Sequence, residues 1–299
     1  MSENCINTKS VSDSGLWWGA IAVVGFSLSL PATRLAVSEL DGVVVGLGRA
    51  MVAALPATLL LVAGRCPVPP RRLWPRLSLT ALGVVFGFPL LSAWALTLMP
   101  AAHGAVIAGL LPAATAAMAA FRGGERPSLG FWLAMLLGLV GVLVFALVQG
   151  TGRPQPADGM ILLAVVLGGL GYAEGGALAR ELGGWRVICW VLVASTPFLL
   201  PIVVWRALAT GLHASPASWG AFAYVSFVSM FLGFFAWYRA LATGGIARIG
   251  QLQLAQPVLT MLWSMILLNE RVTMGMALAA GAVLASVALT QRMIVLRPN

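Results

Sequence analysis

The sequence predicts an all-α integral membrane protein, ten transmembrane helices built as two inverted five-helix repeats. Three observations carry that expectation. Of 299 residues, 60% are hydrophobic and 9% charged, whereas soluble domains run roughly 45–50% apolar and 25% charged. The apolar residues gather into ten continuous runs, each near the ~20 residues that cross a bilayer as a helix. The second half of the chain echoes the first at an offset of 145 residues.

Residues 1–15 form a polar tail with one basic residue, Lys9. It lacks a basic region followed by a short apolar core and a small-residue cleavage site, so it reads as a retained tail. The first run, 16–37, opens on Trp17-Trp18-Gly19 and ends around Arg34. The second, 42–64, carries Arg49 near its start and Pro56 further in. A gap of turn-formers and charges, RCPVPPRRLWPR, separates it from the third run, 77–98. The fourth run is 102–121; RGGERPS then leads into the fifth, 128–149. After GTGRPQPAD come 159–180, 185–206, 218–240 and 246–268, and NERVT precedes the last run, 273–294. Runs this long and unbroken exclude a β-barrel, whose strands alternate over about ten residues. No gap is long enough to fold a soluble core of its own.

The repeat is read from landmarks. Pro56 falls on Pro201, Leu96 on Leu241, His103 on Arg248, Pro112 on Pro257, Thr115 on Thr260, Glu125-Arg126 on Glu270-Arg271 and Gly130 on Gly275. Arg34 falls on Arg180 with one extra residue. The first unit occupies 16–149 and the second 159–294. Each holds five spans, and an odd number inverts the second copy. Inverted halves around a midplane site are the architecture of many secondary transporters. With the N-terminus in the cytoplasm, 13 of the 18 basic residues fall on the inner side, which satisfies the positive-inside rule and places both termini inside.

Composition removes other classes. Nine acidic residues and two histidines make a metal site hard to assemble. No GxxxxGK[ST] loop is present for nucleotide-driven pumping. The net charge of +9 comes from arginines scattered in short gaps, which make no nucleic-acid surface. Cys5, Cys66 and Cys189 are isolated and read as inert thiols. No cofactor, metal or nucleic acid is expected, and an enzyme is disfavoured because one intramembrane acid and two span-end histidines do not assemble a catalytic group. The use of 17 Arg against one Lys suggests a bacterial inner membrane.

Two segments, AAHGAVIAGLLPAATAAMAAFRGGERPSLGFW and GGIARIGQLQLAQPVLTMLWSMILLNERVTMGMAL, resemble the paired EamA-type repeats of the drug/metabolite transporter superfamily. The resemblance extends over nearly the whole chain through Trp17-Trp18-Gly19, Arg49-Ala50-Met51 and the stretch 234–257. It implies a ten-helix inverted-repeat carrier of small metabolites, often an exporter of amino acids or related compounds. Other relatives carry drugs or nucleotide sugars.

Polar groups within spans are costly and therefore candidates for function. Glu174 is the one acid inside a predicted span. It reads either as a proton-titrating carboxylate, making protons a candidate coupling ion, or as the partner of a nearby Arg. Arg239 offers a fork for a substrate carboxylate, a partner for Glu174, or a snorkelling anchor. Gln251, Gln253 and Gln256 cluster in the ninth span, as a site lining or as interhelical hydrogen bonds. Pro112 and Pro257 lie mid-span in equivalent places and read as bends at the cavity or as packing kinks. Tyr172, Tyr238 and Trp94 offer aromatic surface with a polar tip, in the site or in the core. Arg49 lies early in span two and matches the family's Arg at that place, and Arg34 ends span one on the outside; outer-rim anchoring and gate pairing with Glu39 or Asp41 are both open. Glu125 and Glu270 are expected to serve the N-termini of the helices that follow them. The expected site lines spans three, four, eight and nine, with Glu174 and Arg239 at its cytoplasmic side.

Overall fold

The structure, a computed structural model, describes residues 13–123, 128–149, 155–244, 249–250 and 252–295. Gln251, Arg248, Glu125 and Arg126 lie outside the described residues. All regular structure among these residues is helical. The helices are α1 (Ser14–Ala36), α2 (Gly42–Ala63), α3 (Arg71–Leu98) and α4 (Ala101–Phe121), then α5 (Leu129–Gln149). The second set is α6 (Pro156–Leu182), α7 (Gly184–Thr210) and α8 (Pro216–Gly244), followed by α9 (Ala255–Leu268) and α10 (Met274–Val295). Seven of them, α1 to α4 and α6 to α8, are long and apolar enough to cross a membrane over their described residues; α5, α9 and α10 contribute shorter apolar stretches.

The packing obeys the repeat. Exchanging the halves turns α1 into α6 and α3 into α8. Accordingly α1 packs on α8 while α6 packs on α3. Helices that exchange with each other meet directly: α2 with α7, α4 with α9, and α5 with α10. The two halves thus interlock about a pseudo-twofold axis, and α1, α3, α6 and α8 surround its centre.

The backbone departs from α-helical geometry at matching places. In α3, Leu82–Gly87 is π-helical; in α8, Val225–Leu232 is. The 145-residue offset lays the first segment inside the second. Pro89 follows the first segment and lacks the N–H that an α-helical turn would use. The second copy has Phe234 at the equivalent position, so the π turn belongs to the place in the repeat rather than to the proline. A second matched pair of irregularities interrupts α4 at 109–110 and the entry to α9 at 253–254. Each break stands just before the proline expected to bend the chain, Pro112 or Pro257.

The end of the bundle where α1 starts is called the near end, and the opposite one the far end. At the far end Asp41 caps α2 by accepting from the N–H of Val43 at 2.9 Å and of Val44 at 3.3 Å. It also takes both arms of Arg206 from α7. Glu39 accepts from the Ser215 backbone N–H and hydroxyl. Neither acid meets Arg49 or Arg34, whose guanidinium donates to the Leu96 carbonyl, so the gate-pairing alternative is corrected. Glu270 accepts from the N–H groups of Ala101 and Ala102 at 2.9 and 2.8 Å. It therefore serves a helix N-terminus as expected, but that of α4 rather than of the following helix: the chain turns back beside its repeat partner, and two N–H groups without intrahelical acceptors stand there.

Two predictions follow from these contacts. At Gly83 an added Cβ would stand 2.4 Å from the Leu167 carbonyl oxygen and 2.6 Å from the Gly171 nitrogen, both backbone atoms of α6 that cannot yield. Gly83→Ala should lower the unfolding temperature, consistent with an overpacking cost of about 1–3 kcal/mol, whereas Gly141→Ala, with open space at its Cβ, should not. Burial raises the Asp41 carboxyl, but the Arg206 hydrogen bond and the Val43 and Val44 N–H groups outweigh it and hold it below its ordinary 3.8. A depressed acid stabilises the fold above its unfolded value and loses that contribution as pH falls through its folded one. Unfolding temperature in detergent should therefore drop below about pH 4, and Asp41→Asn should shrink that slope.

Candidate functional site

At the centre of the pseudo-twofold lies a cavity of about 490 Å³ of empty space, counting its open mouth. The repeat is visible in its wall. Phe26 of α1 and Tyr172 of α6 are equivalents at the offset that aligns Arg34 with Arg180. Val84 and Ser229 are equivalents on the two π turns, and Pro89 and Phe234 stand just beyond them. The rings of Phe26, Tyr172 and Phe234 pack with centroids 5.2 to 6.3 Å apart. Ser29 and Ser229 share a hydrogen bond of 2.7 Å that joins α1 to α8 at the wall. The surface is apolar and aromatic with a few polar groups, as small-molecule sites are.

The polar groups are unequally distributed, and the largest is Arg49. Seven residues into α2 at 1.5 Å per residue, it stands about 10 Å from the helix start. Its side chain is 4% exposed and lines the cavity. Its Nε and Nη2 have no hydrogen-bond partner among the described residues. Gln256 lines the same cavity and leaves its Oε1 buried without a partner. A second, smaller space adjoins through Leu30 and Gln256. It is bounded by Ala108, Leu111, Pro112, Gln253 and Pro257, the residues at the two matched breaks. Gln253 is buried there with both amide atoms unpartnered. Irregular backbone at membrane depth thus lies where protein and cavity surround it, as the hydrocarbon requires.

The sequence candidates divide. Tyr172, Gln253, Gln256, Pro112 and Pro257 all border the two spaces. Gln251 lies outside the described residues. Tyr238 is fully buried but faces away from the cavity: its hydroxyl donates to the Gly171 carbonyl at 3.2 Å, and its ring fills the room left by Gly175. Trp94 is exposed at the far end and covers Gly42. Arg239 is exposed and rests on the Trp18 ring, 4.7 Å from its centroid. Of its three alternatives, pairing with Glu174 and placement at the site are corrected, because the residue points outward to the aromatic face of α1. Glu174 is buried and accepts from Arg76 Nε at 3.1 Å. Arg76 also reaches Glu181 at 2.6 Å. This near-end cluster ties α3 to α6 and leaves Glu174 off the cavity wall. The main cavity is lined from α1, α3 and α8, with Arg49 of α2, Tyr172 of α6 and Gln256 of α9; span four borders only the smaller space. Sequence reasoning missed Arg49 as a cavity residue. The signal available was its depth, two turns into an apolar helix.

Comparison with known proteins agrees with this architecture. The EamA-like transporter family matches residues 13–147 and again 155–292, and the chain belongs to that family. It is 44% identical over 282 residues to a Bacillus subtilis (strain 168) protein named "Uncharacterized transporter YdeK", covering 92% of this chain and 96% of that one. It is 26% identical over 248 residues to a Streptantibioticus cattleyicolor protein named "Probable terminal-alkyne amino-acid exporter", covering 81% and 82%. One solved crystal structure superposes with a TM-score of 0.66 at 17% identity, over 92% of this chain and 96% of that one, and shares the fold. The protein is a multi-pass membrane protein of a transporter family.

The Arg76–Glu174 contact generates a prediction. Hydrogen bonds to charged groups contribute about 1.5–3 kcal/mol. Glu174→Gln and Arg76→Gln should each lower the unfolding temperature, and the double variant should lose less than the sum. Additive losses in that cycle would show that the two groups do not act as a pair.

Proposed function

We propose that this chain is a secondary carrier, not an enzyme, that exports amino acids or related small amphipathic metabolites by alternating access. The observation that carries this reading is the cavity at the junction of the two repeats, with its matched backbone irregularities and unpartnered polar groups. An inverted-repeat carrier reaches its second state when the halves exchange conformations around a fixed central site. The contacts that would trade roles are α1 against α8 and α6 against α3.

The metabolite class is supported by the wall chemistry and by the printed name of the Streptantibioticus relative. Aromatic rings give an apolar tail a surface, and Arg49 with Gln256 offers groups to a polar head. A nucleotide sugar would bring two phosphates to one guanidinium, and a purely apolar drug would leave Arg49 unpaired. The inner membrane of a bacterial cell is the setting we assign, on the use of 17 Arg against one Lys, with both termini cytoplasmic on the distribution of the basic residues. The pairing of Glu174 with Arg76 favours a structural latch at that residue over a proton site.

The test is comparative export. A bacterial host expressing the wild type, set beside an empty-vector control at matched growth, should accumulate one or more amino acids or close derivatives in its medium. Purified protein in liposomes should then show counterflow of the same compound. Saturable binding without counterflow would indicate a receptor rather than a carrier.

A further inference from the structure

Among the described residues that line the site, the one fixed charge is Arg49, and it is positive. Among the described lining residues no acid faces Arg49. The acids whose side chains are described are engaged elsewhere: Glu39 with Ser215, Asp41 with Arg206, Asp158 with His103 at 2.8 Å, Glu174 and Glu181 with Arg76, and Glu270 with the start of α4. A buried, unpaired guanidinium is costly, several kcal/mol after relaxation. A protein that keeps one in a cavity requires an anion to complete it.

The geometry identifies the kind of anion. Nε and Nη2, the two nitrogens without partners, form one edge of the guanidinium and carry parallel N–H groups. That edge matches the two oxygens of a carboxylate in a paired fork. A single guanidinium balances a single negative charge, which suits a carboxylate better than a phosphate dianion. Beyond the fork stand Phe26, Tyr172 and Phe234, with Val84 and Met230, an apolar wall for a tail. An ammonium group would find neutral acceptors such as the Gln256 amide and no acidic side chain among the described lining.

From this we infer that Arg49 anchors the substrate through its carboxylate, and that the cavity selects amphipathic monocarboxylates whether or not they carry an ammonium group. The inference rests on the carrier reading and deepens it by naming the recognised group. Amino acids are accepted as acids; the corresponding amines are not.

The experiment measures thermal stabilisation of purified protein by three ligands with one tail: phenylalanine, 3-phenylpropionate and phenethylamine. Leucine and its deaminated acid and decarboxylated amine form a second set. In the wild type the acids and amino acids should raise the unfolding temperature and the amines should not. Arg49→Gln should raise the half-saturating concentration of the acids at least about tenfold, and Arg49→Lys should recover part of it without the fork. Unliganded Arg49→Gln should be at least as stable as the wild type, because it removes an unpaired buried charge. Equal stabilisation by amines and acids, no stabilisation by any carboxylate, or an unchanged midpoint in Arg49→Gln would overturn the proposal. The wild-type series alone decides it if the variants fold poorly. Liposome flux separates the two claims. Flux with no preference for acids leaves the carrier and removes the carboxylate anchor; acid binding without flux leaves the anchor and removes the carrier.

Discussion

The structure depends on one constraint: a backbone in hydrocarbon must satisfy its own N–H and C=O groups. Ten helices do this nearly everywhere. Among the described residues the ladder is altered in four paired places, the π segments at 82–87 and 225–232 and the breaks at 109–110 and 253–254, and in an unpaired one at Leu28 in α1. The paired ones are repeat equivalents, and together they border the central cavity and the small space beside it. Altered turns expose carbonyls and shift side chains around the helix. Their inner faces meet at the pseudo-twofold axis, while Leu82, Phe227 and Leu232 on the same segments are exposed on the outside of the bundle.

Charge is arranged by the same economy. The acids cap helices or meet arginines at the bundle ends, where water and helix dipoles favour them. Asp41 fastens α2 to α7, Glu270 serves α4, and Glu174 with Glu181 holds α3 to α6 through Arg76. With the described acids held at the ends, Arg49 is the fixed charge among the described residues of the cavity. The two halves are therefore symmetric in backbone and asymmetric in chemistry. Val84 faces Ser229 across the axis, and the amides Gln253 and Gln256 take the places of Ala108 and Leu111 in the first copy.

Much of the fold was legible because its signals are local. Apolar run length marks a span, but a proline does not by itself mark a break: Pro112 and Pro257 each follow one, while Pro56, Pro197 and Pro201 sit inside continuous helices. The repeat offset tied the two halves together before any contact was known. Side-chain direction was not legible. Arg49, two turns into its span, turns inward, while Arg239, near the end of its own, turns out to Trp18. Tyr172 and Tyr238 have the same chemistry, yet one lines the cavity and the other plugs a gap at Gly175. The π turns have no sequence mark shared by both copies, since Pro89 has Phe234 as its counterpart; they arise from how α3 and α8 meet their neighbours.

The central claim is that one cavity, set at the junction of the repeats, is reached from each side of the membrane in turn. Cysteine accessibility tests it most directly. With Cys5, Cys66 and Cys189 replaced, a single Ser229→Cys on the wall would be labelled with a membrane-impermeant thiol reagent, first from one side of sealed vesicles and then from the other. The account predicts labelling from both sides, with each rate changed by a bound substrate. Labelling from one side only, whatever substrate is present, would contradict it.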